Sequence, residues 1–304
     1  MAQTTGQFHN VCFAGVKPSA PAMLQRWIRP VRLAPSPSIF AAPFGRSEPL
    51  ISPADRLLLQ DVFRRLQVNE GAYRPAALAR RVAACLRALQ VRSPIEALRR
   101  LEEDRGALDL AANALLIGVT AFFRDPAAFS YLQAAVIPEL LQMSPAPRVL
   151  SVACSDGSEA YSLAILLLEA GVKDFSICGI DCRRPAIQQA RAGVYPAPWL
   201  EHLSAELRGR YFDADASGYR VRADVRARVQ FQQGDAFVHV FNAPYDLVAC
   251  RNFAIYLGHP AAARLWRRLH RSLRPDGFLL TGKAERPTSG FLRAGPCFFR
   301  KAQP

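Results

Sequence analysis

The second half of the chain alternates short apolar segments with helical segments, and this alternation limits the fold more than any other feature. The pattern predicts strands over Arg148–Val152, Phe175–Asp181, Val229–Gln233, Asp246–Cys250 and Phe278–Thr281, and helices over Glu159–Glu169, Pro185–Ala192 and Pro260–Leu273. Strands that are separated by helices form a parallel sheet with helices on both faces. We therefore predict an α/β fold with a doubly wound, Rossmann-like sheet.

The rest of the chain divides by composition. We predict a disordered or loosely attached tail over 1–50, which is rich in Pro, Ala, Ser and Gly, an N-terminal helical domain over 51–125, a linker helix over 126–146 that starts at Asp125-Pro126, and the sheet domain over 147–304. Around 213–231, valines stand among arginines, which predicts a small strand pair or an excursion off the main sheet.

The formal net charge of the 304-residue chain is +14. Such a surface attracts acidic partners, but it is also what a solvated, arginine-rich surface looks like. The segment 74–92 contains no acidic residue, and its exposed face carries Arg80 and Arg87. This predicted helix is either a dock for an acidic partner or a solvated face of a helical bundle. Its apolar stripe consists of Leu78, Val82, Cys85, Leu86 and Leu89.

Several classes of protein are disfavoured. The seven cysteines form no CxxC pair and the five histidines are dispersed, so we expect no metal site. Scattered, unpaired cysteines favour a reducing, cytoplasmic location. No apolar run reaches the roughly 18–20 residues of a membrane helix, so we expect no integral membrane segment. The basic residues do not alternate with aromatic residues in a recognisable module, so we expect no nucleic-acid partner.

A strand–turn–helix unit, "SVACSDGSEAYSLAILLLEAG" at 151–171, has one glycine where a dinucleotide fingerprint has three. Ligands of open parallel sheets bind at the carboxyl ends of the strands, and four predicted strands end in polar residues here. Asp181 is placed for ribose hydroxyls, Asp235 for an adenine edge, and Gly157 for close backbone approach. An Asp after a strand is more often a helix cap, but four polar ends together favour a site. A cofactor with ribose and adenine but no phosphates fits best, which indicates S-adenosyl-L-methionine (SAM).

Three longer segments and several short ones form a recognisable set. They are "GVTAFFR" at 118–124, "ACSDGSEAYS" at 153–162, "CRNFAIY" at 250–256, "ARAGVY" at 190–195, "RPDG" at 274–277, and Glu285 after Gly282. With them, residues 55–302 resemble the chemotaxis receptor methyltransferases, the CheR family. Members of that family carry Asn-x-Thr-x-Phe-Phe-Arg, Gly-Cys-Ser-Thr-Gly-Glu-Glu-Pro-Tyr-Ser and Cys-Arg-Asn-x-x-Ile-Tyr at these places.

The resemblance implies a class I SAM-dependent methyltransferase sheet with a small N-terminal helical domain and a small β-subdomain. It implies methylation of glutamate side chains, with S-adenosyl-L-homocysteine as product. The expected partner is an acidic helical cytoplasmic domain of a chemoreceptor or similar protein, and we expect a monomer. By position, the cofactor contacts implied are Thr120 and Arg124 from the linker, Glu159 at the methionine end, Ala236 beside Asp235 at the adenine, and Arg251 and Asn252 near the sulfonium.

The expected chemistry needs no strong base, because a glutamate with a pKa of about 4.3 is already ionised at neutral pH. Catalysis would rest on positioning and on desolvation of the carboxylate. The candidate catalytic residues are Arg124, Arg251, Asn252 and Tyr256. The tyrosine either touches the substrate carboxylate or the methyl group, or packs in the core.

Four positions depart from the family pattern: Gly118 replaces Asn, Ser158 replaces the first Glu of the turn, Ala160 replaces Pro, and Arg183 replaces a second Asp after the second strand. Losing a hydrogen bond to a charged group costs about 1.5–3 kcal/mol, so SAM is held less tightly unless Asp156 or another group compensates. Two alternatives follow. One is a SAM-dependent methyltransferase of another acceptor, suggested by the short, arginine-rich 213–231 region. The other is a catalytically weakened module that binds SAM or a partner.

Overall fold

A computed structural model describes residues 51–116, 118, 120–242, 244–288 and 290–302. The tail predicted over 1–50 lies outside the described residues. Within the described residues, no helix is long and apolar enough to cross a membrane.

Between residues 51 and 116, the N-terminal region contains four α-helices, α1 (Pro53–Leu66), α2 (Pro75–Leu89), α3 (Pro94–Glu103) and α4 (Ala107–Leu115), and a short 3-10 helix (Glu70–Ala72). Ser52 caps α1, because its hydroxyl accepts the backbone N–H of Asp55 while the Asp55 carboxylate accepts the N–H of Ser52. Along α2, most of the predicted apolar stripe is buried, whereas Arg80 and Arg87 are exposed, as the periodicity indicates.

The segment predicted as a linker helix over 126–146 begins with a helix at Pro126. It consists of α5 (Pro126–Tyr131), a π-helical turn (Leu132–Val136) and α6 (Ile137–Met143). Pro138 has no N–H to donate to the preceding turn, and the wider π turn lies directly before it.

Within the described residues, the main sheet has seven strands: β1 (Arg148–Val152), β2 (Ser176–Asp181), β6 (Val229–Gln233), β7 (Tyr245–Cys250), β8 (Leu273–Thr281), β9 (Phe291–Gly295) and β10 (Phe298–Lys301). They lie in the order β6-β2-β1-β7-β8-β10-β9. The first five in the order run parallel to one another. At one edge of the sheet, β10 is antiparallel to β8 and β9 is antiparallel to β10. The predicted class I SAM-dependent methyltransferase sheet is confirmed, with an antiparallel β9–β10 pair that the sequence reading did not include.

Helices α7 (Ser158–Glu169), α8 (Arg184–Ala192) and α11 (His259–Ser272) connect strands of the main sheet. Both ends of each helix lie within one residue of the predicted bounds. Side chains alternate across the strands: Val149 belongs to the core shared with the linker and α7, whereas Leu150 belongs to the core shared with α1–α4 and α11. Both faces of the sheet are therefore buried, which is why its strands read as apolar runs.

A second, three-stranded sheet has the order β3-β5-β4 and is formed by β3 (Val194–Tyr195), β4 (Phe212–Asp215) and β5 (Gly218–Val221). Two short helices accompany it, α9 (Ala205–Tyr211) and α10 (Ala223–Arg226). This sheet is the excursion that the sequence predicted near 213–231, but it starts earlier. Val225 lies in α10 and Val229 starts the main-sheet strand β6.

Candidate active site

The order of the main sheet reverses at β1, which has β2 on one side and β7 on the other. The crevice outside the carboxyl ends of such strands is where open α/β sheets bind ligands. A cleft of about 980 Å³, measured out to its open mouth, lies there. Nine of the predicted site residues line it: Thr120, Arg124, Glu159, Asp181, Asp235, Ala236, Arg251, Asn252 and Tyr256.

Gly157 is the predicted site residue that does not line the cleft. Its φ is +85°, and a Cβ at this position would come within 3.0 Å of Phe231 and Ala190. The structure explains this glycine by the packing behind the turn, and its predicted close approach to a ligand stays a prediction. Glycine is needed at 157 because the turn packs tightly against the sheet and α8 behind it, in a conformation that other residues rarely adopt.

The turn places Glu159 and Arg251 together. Glu159 accepts a hydrogen bond from the Ser151 hydroxyl (2.9 Å) and pairs with Nη1 of Arg251 (3.3 Å). Arg251 also donates to the backbone oxygen of Arg124 (2.7 Å). The Arg251 side chain is 2% exposed, and its Nε is a buried donor without a partner among the described residues. A buried N–H in a cleft calls for an acceptor, and the carboxylate of a ligand is one.

Ser158 stands where the family turn has its first Glu, and its side chain contacts Thr120 of the linker. Their hydroxyl oxygens lie 2.9 Å apart. Asp156 does not line the cleft, and its carboxylate accepts the backbone N–H of Ser158 (2.9 Å), so it caps α7 and does not compensate toward a ligand. Burial raises the pKa of Asp156 to about 6.

The end of β2 differs from the expected ribose site. The Asp181 carboxylate accepts backbone N–H groups of Ser155 and Arg183, both at 2.9 Å, and it forms an ion pair with the Arg183 side chain at 3.1 Å. Arg183 is buried and lines the cleft. The sequence showed only that an acid is replaced by Arg183 in the family pattern, and could not place the side chain.

Where the sequence predicts the adenine site, around Asp235 and Ala236, the cleft is lined by one carboxylate and by apolar groups. Asp235 accepts the backbone N–H of Phe237 (3.0 Å), and burial raises the pKa of its carboxyl. Apolar side chains of Leu116 and Ile180 line the same cleft. One carboxylate among apolar groups is the kind of lining that orients a flat heterocycle.

The helical region contributes a wall that the sequence analysis did not foresee. Tyr73, just before α2, and Ala77, Leu78 and Arg81 of α2 line the cleft. Backbone contacts hold this wall against the CRNFAIY segment: the N–H of Arg74 donates to the oxygen of Tyr256 (2.9 Å), and Tyr73 forms a β-bridge with Leu257. The apolar stripe of α2 was visible in the sequence, but not which surface it covers.

The residues present fit SAM at both ends of the cleft. At one end, the unpartnered Nε of Arg251 and the carboxylate of Glu159 suit the carboxylate and amino groups of a methionine moiety. At the other end, Asp235 and its apolar neighbours suit adenine. At the ribose, Arg183 alters the expected contact.

The mostly parallel sheet and the reversal of strand order at β1 are those of a class I SAM-dependent methyltransferase. A sequence model described as "CheR methyltransferase, SAM binding domain" matches residues 118–290, more than half of the chain. The chain belongs to the CheR methyltransferase family. The resemblance noted from its motifs is confirmed, and SAM is the cofactor of the matched domain.

Named relatives are similar over most of the described region. The chain is 32% identical to the probable biofilm formation methyltransferase WspC of Pseudomonas aeruginosa over 73% of this chain and 54% of that protein. It is 34% identical to chemotaxis protein methyltransferase 2 of P. aeruginosa, covering 67% of this chain and 76% of that one. The chain thus spans about half the length of WspC and most of the chemotaxis enzyme.

A solved SAM-dependent methyltransferase from Geobacter sulfurreducens, in complex with S-adenosyl-L-homocysteine, is 22% identical, with a TM-score of 0.31. The alignment covers 57% of this chain and 52% of that one.

Proposed function

We propose that this protein transfers a methyl group from SAM to glutamate side chains on an acidic, helical segment of a chemotaxis-type receptor. The observation that carries the proposal is the grouping of Arg81, Arg124 and Tyr256 in the same cleft as the cofactor residues. Burial raises the pKa of the Tyr256 hydroxyl, and the nearby guanidinium groups of Arg124 and Arg81 act in the opposite direction. Two cations and a phenol are suitable partners for one carboxylate.

Roles for the other predicted site residues follow from their contacts. Glu159 and the Nε of Arg251 would hold the methionine end, Thr120 would act from the linker, and Asp235 with Ala236 would hold adenine. Asn252 would line the floor near the reacting atoms. SAM, when bound, supplies a methyl group on a positively charged sulfur, which a carboxylate oxygen attacks in line.

The chain's own contribution is binding, orientation and exclusion of water. Arg81 and Arg124 attract the acceptor carboxylate. Tyr256 is protonated at neutral pH, as tyrosines ordinarily are, and burial raises its pKa further. Its hydroxyl donates a hydrogen bond to one oxygen of the acceptor and leaves the other free to react. The wall formed by Tyr73 and α2 lines one side of the cleft and shields a bound carboxylate from water on that side. A carboxylate freed from water is the better nucleophile.

The test is incubation of the full chain with methyl-labelled SAM and cytoplasmic fragments of chemoreceptors. We expect label that is released by mild base, as methyl esters are, and that is lost when the acceptor glutamates are replaced by Ala. A protein that binds SAM but forms no base-labile product on any receptor fragment would contradict the proposal.

A second acceptor class is favoured by one observation, the similarity to a relative named for biofilm formation. The receptors of such a signalling system would offer the same chemistry on a different helix. A panel with both receptor types distinguishes the two acceptors. If neither is methylated while SAM binds, the third reading, a weakened binding module, is supported instead.

A further inference from the structure

The two departures from the family pattern that flank the ribose corner lie in direct contact. Gly118 belongs to the linker and Arg183 follows β2, yet the guanidinium of Arg183 lies against the Gly118 backbone. A Cβ built at position 118 would come within 3.0 Å of three guanidinium atoms, which real Cβ atoms essentially never do. The space of a side chain at position 118 is therefore already filled by Arg183.

The guanidinium is held in this place by a closed set of hydrogen bonds. Nη2 of Arg183 donates to the Ser155 hydroxyl (2.9 Å), and Nε donates to the Asp181 carboxylate (3.1 Å). The Ser155 hydroxyl in turn donates to the backbone oxygen of Gly118 (2.9 Å). With only 8% of its side chain exposed, Arg183 links the linker, the turn and the end of β2.

These contacts use up the acceptor capacity of Asp181. A carboxylate offers about four lone-pair sites. Oδ1 accepts the backbone N–H and the Nε–H of Arg183, and Oδ2 accepts the N–H of Ser155 and, at 3.4 Å, Nη2 of Arg183. Ribose hydroxyls cannot donate to this carboxylate in the expected way unless Arg183 leaves.

We propose that Arg183 is a cofactor-contacting residue of this chain, whose guanidinium donates to the ribose of SAM where the filled Asp181 carboxylate cannot accept. Gly118 is then required because it makes room for that guanidinium. The inference rests on the proposed function in that SAM is the ligand. It changes the chemistry of the ribose contact from acceptance by a carboxylate to donation by a guanidinium.

The contact between Gly118 and Arg183 is tested without any ligand by a double-mutant cycle on the full chain. Gly118→Ala pushes the guanidinium away from Asp181 and Ser155, so it lowers the Tm in the wild-type background. In the Arg183→Ala background the same change has nothing to displace, and we expect little further loss. Gly209→Ala is the matched control, because a Cβ at that position of α9 would meet no described atom within 4 Å apart from its chain neighbours and its own helix. Equal losses of Tm in both backgrounds would show that the two residues are independent.

The cofactor contact is tested by calorimetry with S-adenosyl-L-homocysteine, well below the Tm of each variant. We expect the Kd to rise about tenfold or more in Arg183→Ala and in Gly118→Ala, with the double variant no weaker than either, because all three lose the same guanidinium contact. An unchanged Kd with a lowered Tm would make Arg183 purely structural. A tighter Kd would make it an obstruction. Either result overturns the proposal.

Failure of the proposed function gives a different pattern. If the wild-type chain binds no S-adenosyl-L-homocysteine, both the cofactor assignment and the ribose contact are wrong, while the Tm cycle still reports whether Gly118 and Arg183 interact. If wild type and Arg183→Ala bind equally well and methylate equally fast, only the inference about Arg183 fails.

Discussion

The carboxylate of Glu285 accepts the backbone N–H of Asn252 at a distance of 2.8 Å. It also accepts the N–H groups of Phe253, Ala254 and Gly282, at 2.9, 2.7 and 2.7 Å. Asn252 has a left-handed φ of 57°, which turns the chain sharply after β7. One buried carboxylate thus ties the loop after β7 to the loop after β8 and fixes the backbone that presents Arg251 and Asn252 to the cleft.

Glu285→Gln should loosen this loop, because an amide nitrogen would face backbone N–H groups that now bind a carboxylate oxygen. We expect the free energy of unfolding to fall by about 1–3 kcal/mol and the affinity for S-adenosyl-L-homocysteine to fall with it. Urea unfolding and calorimetry measure the two effects. Glu201→Gln, at an exposed site, is the control and should leave both quantities unchanged. A Glu285→Gln protein with unaltered stability would mean that the four hydrogen bonds do not shape the loop.

Asp156→Asn should stabilise the protein at neutral pH. Burial raises the pKa of Asp156 to about 6, above the value of about 3.9 expected in the unfolded chain. The folded state therefore binds the proton more tightly, and the free energy of unfolding falls as pH rises from about 4 to about 6 and stays lower above that.

The asparagine keeps an oxygen for the Ser158 N–H and removes the titration, so at pH 7 the variant should be more stable by about 1–3 kcal/mol, and its stability should depend less on pH between 4 and 6. Unfolding in urea at several pH values measures this. Asp174→Asn, at an exposed site, serves as control. If Asp156→Asn is less stable than wild type at pH 7, the carboxylate is a net stabilising group and the argument from burial is wrong.

The sequence allowed the sheet to be predicted closely because its strands are buried on both faces. Arg148–Val152 and Val229–Gln233 were predicted with the bounds that the structure has. The edge strands Phe291–Gly295 and Phe298–Lys301 were missed, because the segment 291–301 mixes apolar with basic and small residues and has no clear period.

Within the site, residues at strand ends could be predicted because parallel strands bring their carboxyl ends to one edge. Contacts between segments that are distant in the sequence could not be predicted. In the sequence, Gly118 and Arg183 each indicate only the loss of a polar side chain that the family has. The fold shows that the guanidinium of Arg183 fills the space of a side chain at position 118. The same holds for Gly157: only the fold shows that Phe231 and Ala190, behind the turn, leave no room for a side chain at this position.

Arg251→Lys should weaken the cofactor site although it keeps the charge. Arg251 contacts Glu159 and the backbone oxygen of Arg124 through different nitrogens, and its Nε points at no described partner. A lysine ammonium is one compact group and cannot make these contacts together. We expect the Kd for S-adenosyl-L-homocysteine to rise about tenfold or more. Arg271→Lys, at an exposed site on α11, is the control. If Arg251→Lys binds S-adenosyl-L-homocysteine as tightly as wild type, the arginine has no role in binding the cofactor.

Thr120 and Ser158 should be energetically coupled, because their hydroxyl oxygens lie 2.9 Å apart. Thr120→Val and Ser158→Ala each break this hydrogen bond, so the double variant should lose less stability than the sum of the single losses. The expected coupling is about 0.5–1.5 kcal/mol, read from a double-mutant cycle in urea unfolding. Strict additivity would show that the linker reaches the turn without this bond.

Charge reversal on α2 should weaken capture of an acidic acceptor without changing the chemical step. Arg80 and Arg87 are exposed on α2, whose buried face forms a wall of the cleft. If the acceptor helix approaches this side, Arg80→Glu with Arg87→Glu should raise KM for the receptor fragment, leave kcat and the affinity for S-adenosyl-L-homocysteine unchanged, and reduce the dependence of KM on salt. The matched control is Arg267→Glu with Arg271→Glu on α11, which changes the net charge by the same amount at exposed sites of another helix. Equal effects of the two double variants would show that net charge alone, and not the α2 surface, attracts the acceptor. Wild-type KM in the α2 variant would place the acceptor on another face of the protein.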